Sequence, residues 1–286
     1  MTQIREFLSR LASGPAVLVT VQAHQGSVPR SAGAWMAVFA DTTVSSIGGG
    51  HLEWQAMAQA RAWLGGLAGP KLQSYPLGAA LGQCCGGQVQ LRFEPVSAMD
   101  VPALRQRFAE EQSRQPVVAL FGGGHVGAAL VQVLARLPLQ LRWFDSRDGI
   151  FAQQQLPDNV WCEHSEPLQA AVATLPALAQ VLIMSYSHAE DLEVVTACLS
   201  RQRLQADLGL IGLIGSKTKW ATFRHRLQAR GFNAAELSRV TCPIGVPGIK
   251  GKEPEVIAVA MAAQVLQALA ATQAAHRPIS WASQAV

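Results

Sequence analysis

The sequence predicts an α/β protein in which a C-terminal Rossmann-like parallel sheet follows an N-terminal α+β domain. Three observations carry this. A continuous apolar strand at 117–121 and further strands at 139–144, 181–184 and 208–213 are separated by helical segments, the pattern of a parallel sheet covered on both faces. The first run leads into a glycine-rich loop, Gly122-Gly123-Gly124-His125-Val126-Gly127, and then a helix. Upstream the character differs: residues 88–93 alternate polar and apolar, as a half-buried strand does. The expected divisions are an N-terminal domain over 1–96, a linker over 97–115 and the Rossmann-like domain over 116–286.

Taken in order, residues 1–7 suit a short amphipathic helix, and the β-branched content of 16–21 suits a strand. Residues 26–33 form a Gly/Pro loop carrying Arg30. Residues 35–39 and 43–47 suit a hairpin, and the glycines at 48–50 turn the chain into a helix over 51–64. The polar, helix-prone stretch between Pro95 and Pro116 suits a linker. After the glycine loop a helix is expected to about residue 137.

Composition narrows the function classes. Of 286 residues, 49% are hydrophobic and 15% charged, so a sizeable core can be buried and a disordered chain is excluded. A net charge of +4, without a dense basic run or an aromatic ladder, speaks against a nucleic-acid partner. The N-terminus lacks the apolar core of a signal peptide, and the Ala-rich stretch 256–272, punctuated by Gln264 and Gln267, reads as a buried helix rather than a membrane span. Five cysteines, an odd number, suit a reducing cytoplasm.

The glycine loop carries the chemistry. Gly122 permits the tight turn, Gly124 lets a phosphate approach the backbone, and Gly127 lets the helix pack close to the sheet. Free N–H groups and the helix dipole then favour an anion. Asp145, at the tip of the next strand, can accept from a ribose or other diol, and Arg147 can serve a further anion or simply lie at the surface. His188, after the third apolar run, suits an acid–base group or a hydrogen-bond donor. Ser187 and Glu190 around it equally make a capping box. Lys217 and Lys219 lie in the first turn of a helix, where cations oppose the dipole unless an anion is present. Lys250 and Lys252 occupy a long Pro/Gly loop over 242–254. Adjacent Cys84 and Cys85, flanked by glycines, suit thiolate ligands or redox groups, though the spacing is not that of a zinc site. Cys162 and Cys198 lie in apolar surroundings and read as buried.

Together the segments GSVPRSAGAWM (26–36), GGGHLE (48–53), GQCCGG (82–87), FGGGHVG (121–127), FDSR (144–147), SHAEDL (187–192), IGLIGSKTK (211–219) and CPIGVPGIKGKEP (242–254) resemble the accessory-protein family of xanthine dehydrogenase. That family includes maturation factors of aerobic carbon monoxide dehydrogenase. The resemblance implies a non-catalytic carrier that binds the molybdenum cofactor, a pterin dithiolene with a terminal phosphate. The cofactor is held while a cysteine desulfurase supplies its terminal sulfur, then delivered to the molybdenum-binding subunit of apo-xanthine dehydrogenase. It also implies a homodimer. On this reading Gly122, Gly124, His125, Gly127, Asp145, Arg147 and His188 serve the cofactor. Arg30, Lys217, Lys219, Lys250 and Lys252 meet its negative charge, and Cys84 and Cys85 approach or shield molybdenum. Two alternatives stay open from the residues: an NAD(P)-dependent oxidoreductase using the glycine loop and Asp145, and a sulfurtransferase carrying a persulfide on Cys84 or Cys85.

Overall fold

The computed structural model describes residues 2–77, 87–152 and 156–276. The chain divides into two compact units, Met1–Glu111 and Gln112–Val286.

In the first unit, an antiparallel sheet is ordered β3-β2-β1-β5-β4. Its strands are β1 (Ala16–Gln25), β2 (Trp35–Val38), β3 (Thr43–Ser45), β4 (Leu72–Pro76) and β5 (Gln88–Val96). Alternation gives each face its own core. Val17, Val19, Val21, Val89, Leu91 and Phe93 pack with Leu52, Ala56 and Ala60 of helix α2 (Gly50–Leu64). On the other face Ala16, Leu18 and Ala37 pack with Phe7 of helix α1 (Thr2–Arg10). The helix-prone segment between Pro95 and Pro116 forms a helix, α3 (Val101–Ser113). Its Leu104 and Phe108 lie one turn apart and are buried in the same cluster as Phe7. The Phe108 ring stands 6.2 Å from Phe7, edge on, and 5.3 Å from Trp35. Two apolar residues on one helical face are enough to dock a stretch whose average composition is polar.

The second unit holds a six-stranded sheet ordered β11-β10-β9-β6-β7-β8. Its strands are β6 (Val117–Phe121), β7 (Gln140–Asp145), β8 (Val160–His164), β9 (Gln180–Ile183), β10 (Ile211–Leu213) and β11 (Val240–Thr241). Every pairing is parallel. The continuous apolar reading follows from two covered faces. Val118 and Leu120 point to one face, with α4 (His125–Leu134) and α8 (Pro254–His276). Ala119 and Phe121 point to the other, with α5 (His188–Gln205) and α6 (Lys217–Ala229). Part of α8, Pro254–Thr272, has a mean hydropathy of 1.6 and is long and apolar enough to cross a membrane. Its Ala258, Met261, Ala262, Val265 and Leu269 are nevertheless buried in the core beside α4. The β6 to β8 half runs outward on one side of β6, and the chain returns to place β9 on the other. The order of connection therefore reverses between β6 and β9, which is where ligands bind in open parallel sheets, beyond the carboxyl ends of the strands.

A crevice at the carboxyl edge of the parallel sheet

Parallel strands bring their carboxyl ends to one edge, so the loops after β6, β7, β9, β10 and β11 gather there. They carry five of the motifs: the glycine loop, Asp145-Ser146-Arg147, Ser187-His188, Ser216-Lys217 and the loop from Cys242.

The glycine loop is fixed by contacts that only glycine allows. Gly122 has a φ of 125°, and a Cβ there would lie 2.1 Å from the Met184 carbonyl oxygen on the neighbouring loop. A Cβ on Gly127 would lie 2.3 Å from the Gly122 carbonyl oxygen, so the helix packs directly on the turn. That same carbonyl accepts from the Trp143 indole N–H at 2.9 Å. Gly124 is different: a Cβ there meets nothing within 4 Å. It is the N-cap of α4, and no side chain caps the helix. The first turn therefore faces open space with its N–H groups and positive dipole end. His125, the first helical residue, is exposed beside it.

Asp145 was expected to face a ligand diol. It is buried instead, with 1% of its surface exposed, and both oxygens are engaged. Oδ1 accepts from the Arg147 backbone N–H and from Nε, each at 2.9 Å. Oδ2 accepts from Arg147 Nη2 at 2.9 Å and from the Gly123 N–H. Four donors fill the acceptor capacity of a carboxylate. Burial pushes the Asp145 carboxyl up, but the Arg147 and Gly123 hydrogen bonds outweigh it and hold the group below the usual aspartate value. Asp145 thus buttresses the glycine loop from within. Arg147, held on that carboxylate, lies 5.2 Å from the Tyr186 ring centroid as a cation–π pair.

At α5, Ser187 caps the helix by accepting from the Ala189 and Glu190 N–H groups. The expected reciprocal bond from Glu190 is replaced. Glu190 Oε1 accepts from Ser146 Oγ at 2.5 Å, on the loop after β7. His188 is exposed, its ring edge-on to Phe223 at 6.3 Å.

At α6, Ser216 accepts from the Lys219 N–H at 3.1 Å. The lysine pair expected to meet an anion divides in two. Lys217 is exposed. Lys219 turns inward, donating to Asp191 Oδ2 at 2.6 Å and to the Ile214 carbonyl at 2.9 Å. Asp191, itself 1% exposed, also accepts from the Ser185 N–H. A buried carboxylate within reach takes the ammonium because neither charge can be left unpaired inside the fold. Lys219 is a structural cation. The loop after Cys242 borders a cleft of about 360 Å³, lined also by Ile214, Gly215 and the first turns of α8. Lys250 and Lys252 are exposed on this loop.

The first unit has its own motif corner. The glycines at 48–50 all have positive φ, and a Cβ on Gly48 would lie 2.4 Å from Pro29 Cβ and 3.3 Å from Arg30 Cγ. A Cβ on Gly87 would lie 2.3 Å from the Ser27 carbonyl oxygen. Segment 26–33 thus lies against both the glycine turn at Gly48 and Gly87. Glu53 Oε2 closes the turn, accepting from Ser46 Oγ and from the Ile47 and Gly49 N–H groups. Arg30 is exposed. Cys84 and Cys85 lie outside the described residues. Among the described cysteines, burial pushes the Cys162 thiol up to about 11 and Cys198 up to about 12, and it raises Cys242 as well. These remain thiols at neutral pH. Sequence reasoning overlooked Ser146 and Glu190 as partners of each other, Tyr186 as a partner of Arg147, and Asp191 as the mate of Lys219. Only the capping pattern at Glu190 hinted that the position mattered.

Fold and edge together define a Rossmann-type protein with its topological switch point between β6 and β9. Comparison with known proteins makes this specific. A family model described as the XdhC Rossmann domain matches residues 118–265, and one described as the XdhC and CoxI family matches residues 10–76. The chain belongs to the XdhC family, the xanthine dehydrogenase accessory family its motifs resemble. It is 26% identical over 258 residues to the uncharacterised protein YqeB of Escherichia coli strain K12. That match covers 88% of this chain and 43% of YqeB, so the chain spans less than half the length of this relative. A crystal structure described as a xanthine dehydrogenase from Bacillus halodurans superposes with a TM-score of 0.74 at 21% identity, over 98% of this chain and 99% of the other. At that identity the likeness is one of fold.

Proposed function

We propose that the protein is a carrier of the molybdenum cofactor that holds it during sulfuration and delivers it to apo-xanthine dehydrogenase. The observation that carries this is the gathering of five family motifs at one sheet edge around an uncapped helix N-terminus. The cargo is anionic, and the edge offers what an anion needs. The α4 N–H groups beyond Gly124 hold the terminal phosphate, while Lys217, Lys250 and Lys252 supply exposed positive charge. The chain's own task is to bind, orient and release, so no acid–base residue is required. Cys84 and Cys85 are assigned to the metal end of the cargo by the family resemblance alone. The partners on this reading are the molybdenum-binding subunit of the dehydrogenase and a cysteine desulfurase, with the carrier acting as a cytoplasmic homodimer.

The test is to purify the full chain from a host that makes the cofactor, oxidise it, and assay released pterin. Bound pterin and activation of apo-xanthine dehydrogenase are expected. Absence of both rejects the proposal. The competing oxidoreductase reading needs Asp145 to take a ribose diol, and that carboxylate is already saturated by Arg147 and Gly123.

A further inference from the structure

Three contacts at the switch point have no part in the carrier reading as stated. Ser146, after β7, donates to Glu190, at the start of α5 after β9. Arg147, after β7, stacks on Tyr186, after β9. Asp145 has no acceptor position left. Strands β7 and β9 flank β6 on opposite sides, so the first two contacts join the two halves of the sheet past the carboxyl end of β6. In a dinucleotide-binding Rossmann domain this is the path of the cofactor. One ribose sits on the acid at the second strand, the pyrophosphate lies over the glycine loop, and the other nucleoside reaches toward the far half.

We propose that these side chains form a specificity strap, so that the crevice takes a ligand ending in a single phosphate and excludes pyrophosphate-linked dinucleotides. That the ligand is a phosphomonoester rests on the carrier reading; the exclusion of dinucleotides does not. Sterically, a dinucleotide must displace both bridges. Its ribose must also compete for Asp145 against a bidentate guanidinium and two backbone N–H groups. Electrostatically, the strap holds two carboxylates, Asp145 and Glu190, against one cation, Arg147. Glu190 Oε2 is buried with no hydrogen-bond partner, and the Glu190 carboxylate acts on the Arg147 guanidinium through space. A second phosphate would meet that negative balance. A terminal phosphate at the α4 N-terminus need not cross the strap, because the space around Gly124 is open. In pterin terms, the site favours the cofactor without an appended nucleotide.

The test is a fluorescence titration of the full chain with NADH. The unaltered chain should show no saturable binding below about millimolar NADH, and the Tyr186→Ala/Glu190→Ala double variant should bind at least about tenfold more tightly. Tyr186 is 64% exposed, so its truncation spares the core, and Ser146→Ala offers a milder second variant that removes one bridge. Micromolar binding by the unaltered chain, or no gain in either variant with melting unchanged, overturns the strap. A second arm treats the pterin-loaded protein with phosphodiesterase and measures released nucleotide. Pterin without nucleotide is expected. Stoichiometric nucleotide overturns this inference and leaves the carrier reading standing. Absence of pterin sinks the carrier reading and leaves the titration to decide the strap.

Discussion

At the scale of single residues, the glycines of one loop divide into two kinds. Gly122 is required by the fold: Gly122→Ala forces a side chain onto a left-handed backbone and into the Met184 carbonyl. A loss of at least about 2 kcal/mol is expected, readable by denaturant unfolding. Gly124 has an ordinary φ of −73° and open space around it. Gly124→Ala should cost no more than about 1 kcal/mol, the scale of an N-cap change, yet lower the pterin content of the purified protein. Fold loss at 122 with ligand loss at 124 would separate turn from cradle; equal stability losses would erase the distinction. Asp145 gives a pH prediction. Its carboxyl is held below the ordinary value, so the unfolded chain binds the proton more readily than the folded one. Its contribution is therefore present at neutral pH and lost as pH falls through the ordinary aspartate value of about 3.9 toward the lowered folded value. Asp145→Asn should be destabilised by about 2 kcal/mol at pH 7, and the gap to the unaltered chain should close on acidification in thermal melts. A gap independent of pH would refute the assignment.

At the scale of elements, the two lysines of α6 should behave oppositely although they are two positions apart. Lys219→Ala leaves Asp191 buried without its cation and should cost about 3–5 kcal/mol. Lys217→Ala, at an exposed site, should stay within about 0.5 kcal/mol and weaken only anion binding. Chemical denaturation of the pair, beside a pterin assay, checks both. Sequence alone could not separate them, because the first-turn position is shared and the deciding partner lies on α5. Helix α3 teaches a related lesson. Polar composition between prolines suggests a connector, but Leu104 and Phe108 at i and i+4 suffice to bury one face.

At the scale of the molecule, each unit has its own sheet and its own pair of hydrophobic clusters. A fragment spanning 112–286 should therefore fold without the rest of the chain and unfold cooperatively, as judged by circular dichroism. A fragment lacking a melting transition would show that the second unit depends on the first. The parallel sheet was legible because a strand covered on both faces has no polar side to show: 117–121 and 181–184 read as unbroken apolar runs, and 139–144 departs from that only at Gln140 and Arg142. The short or exposed strands were not: β4 has one buried residue, β8 has only Val160 buried, and β11 is two residues long. None of the three offers a period to count.

The sequence by itself determined the fold class, the glycine turn with its uncapped helix, and the edge at which the motifs meet. These follow from local chemistry: backbone freedom at glycine, apolar periodicity, and the single direction of parallel strands. Only the tertiary structure decided which charges face a ligand and which serve the fold. Asp145 and Lys219 have the residue types of a binding site, yet both are spent on internal partners, Arg147 and Asp191. The pairing of Ser146 with Glu190 joins residues far apart in the chain, brought together because β9 returns beside β6. A side chain's charge is written in the sequence, but its partner is set by what lies within hydrogen-bond reach, and strand order fixes that.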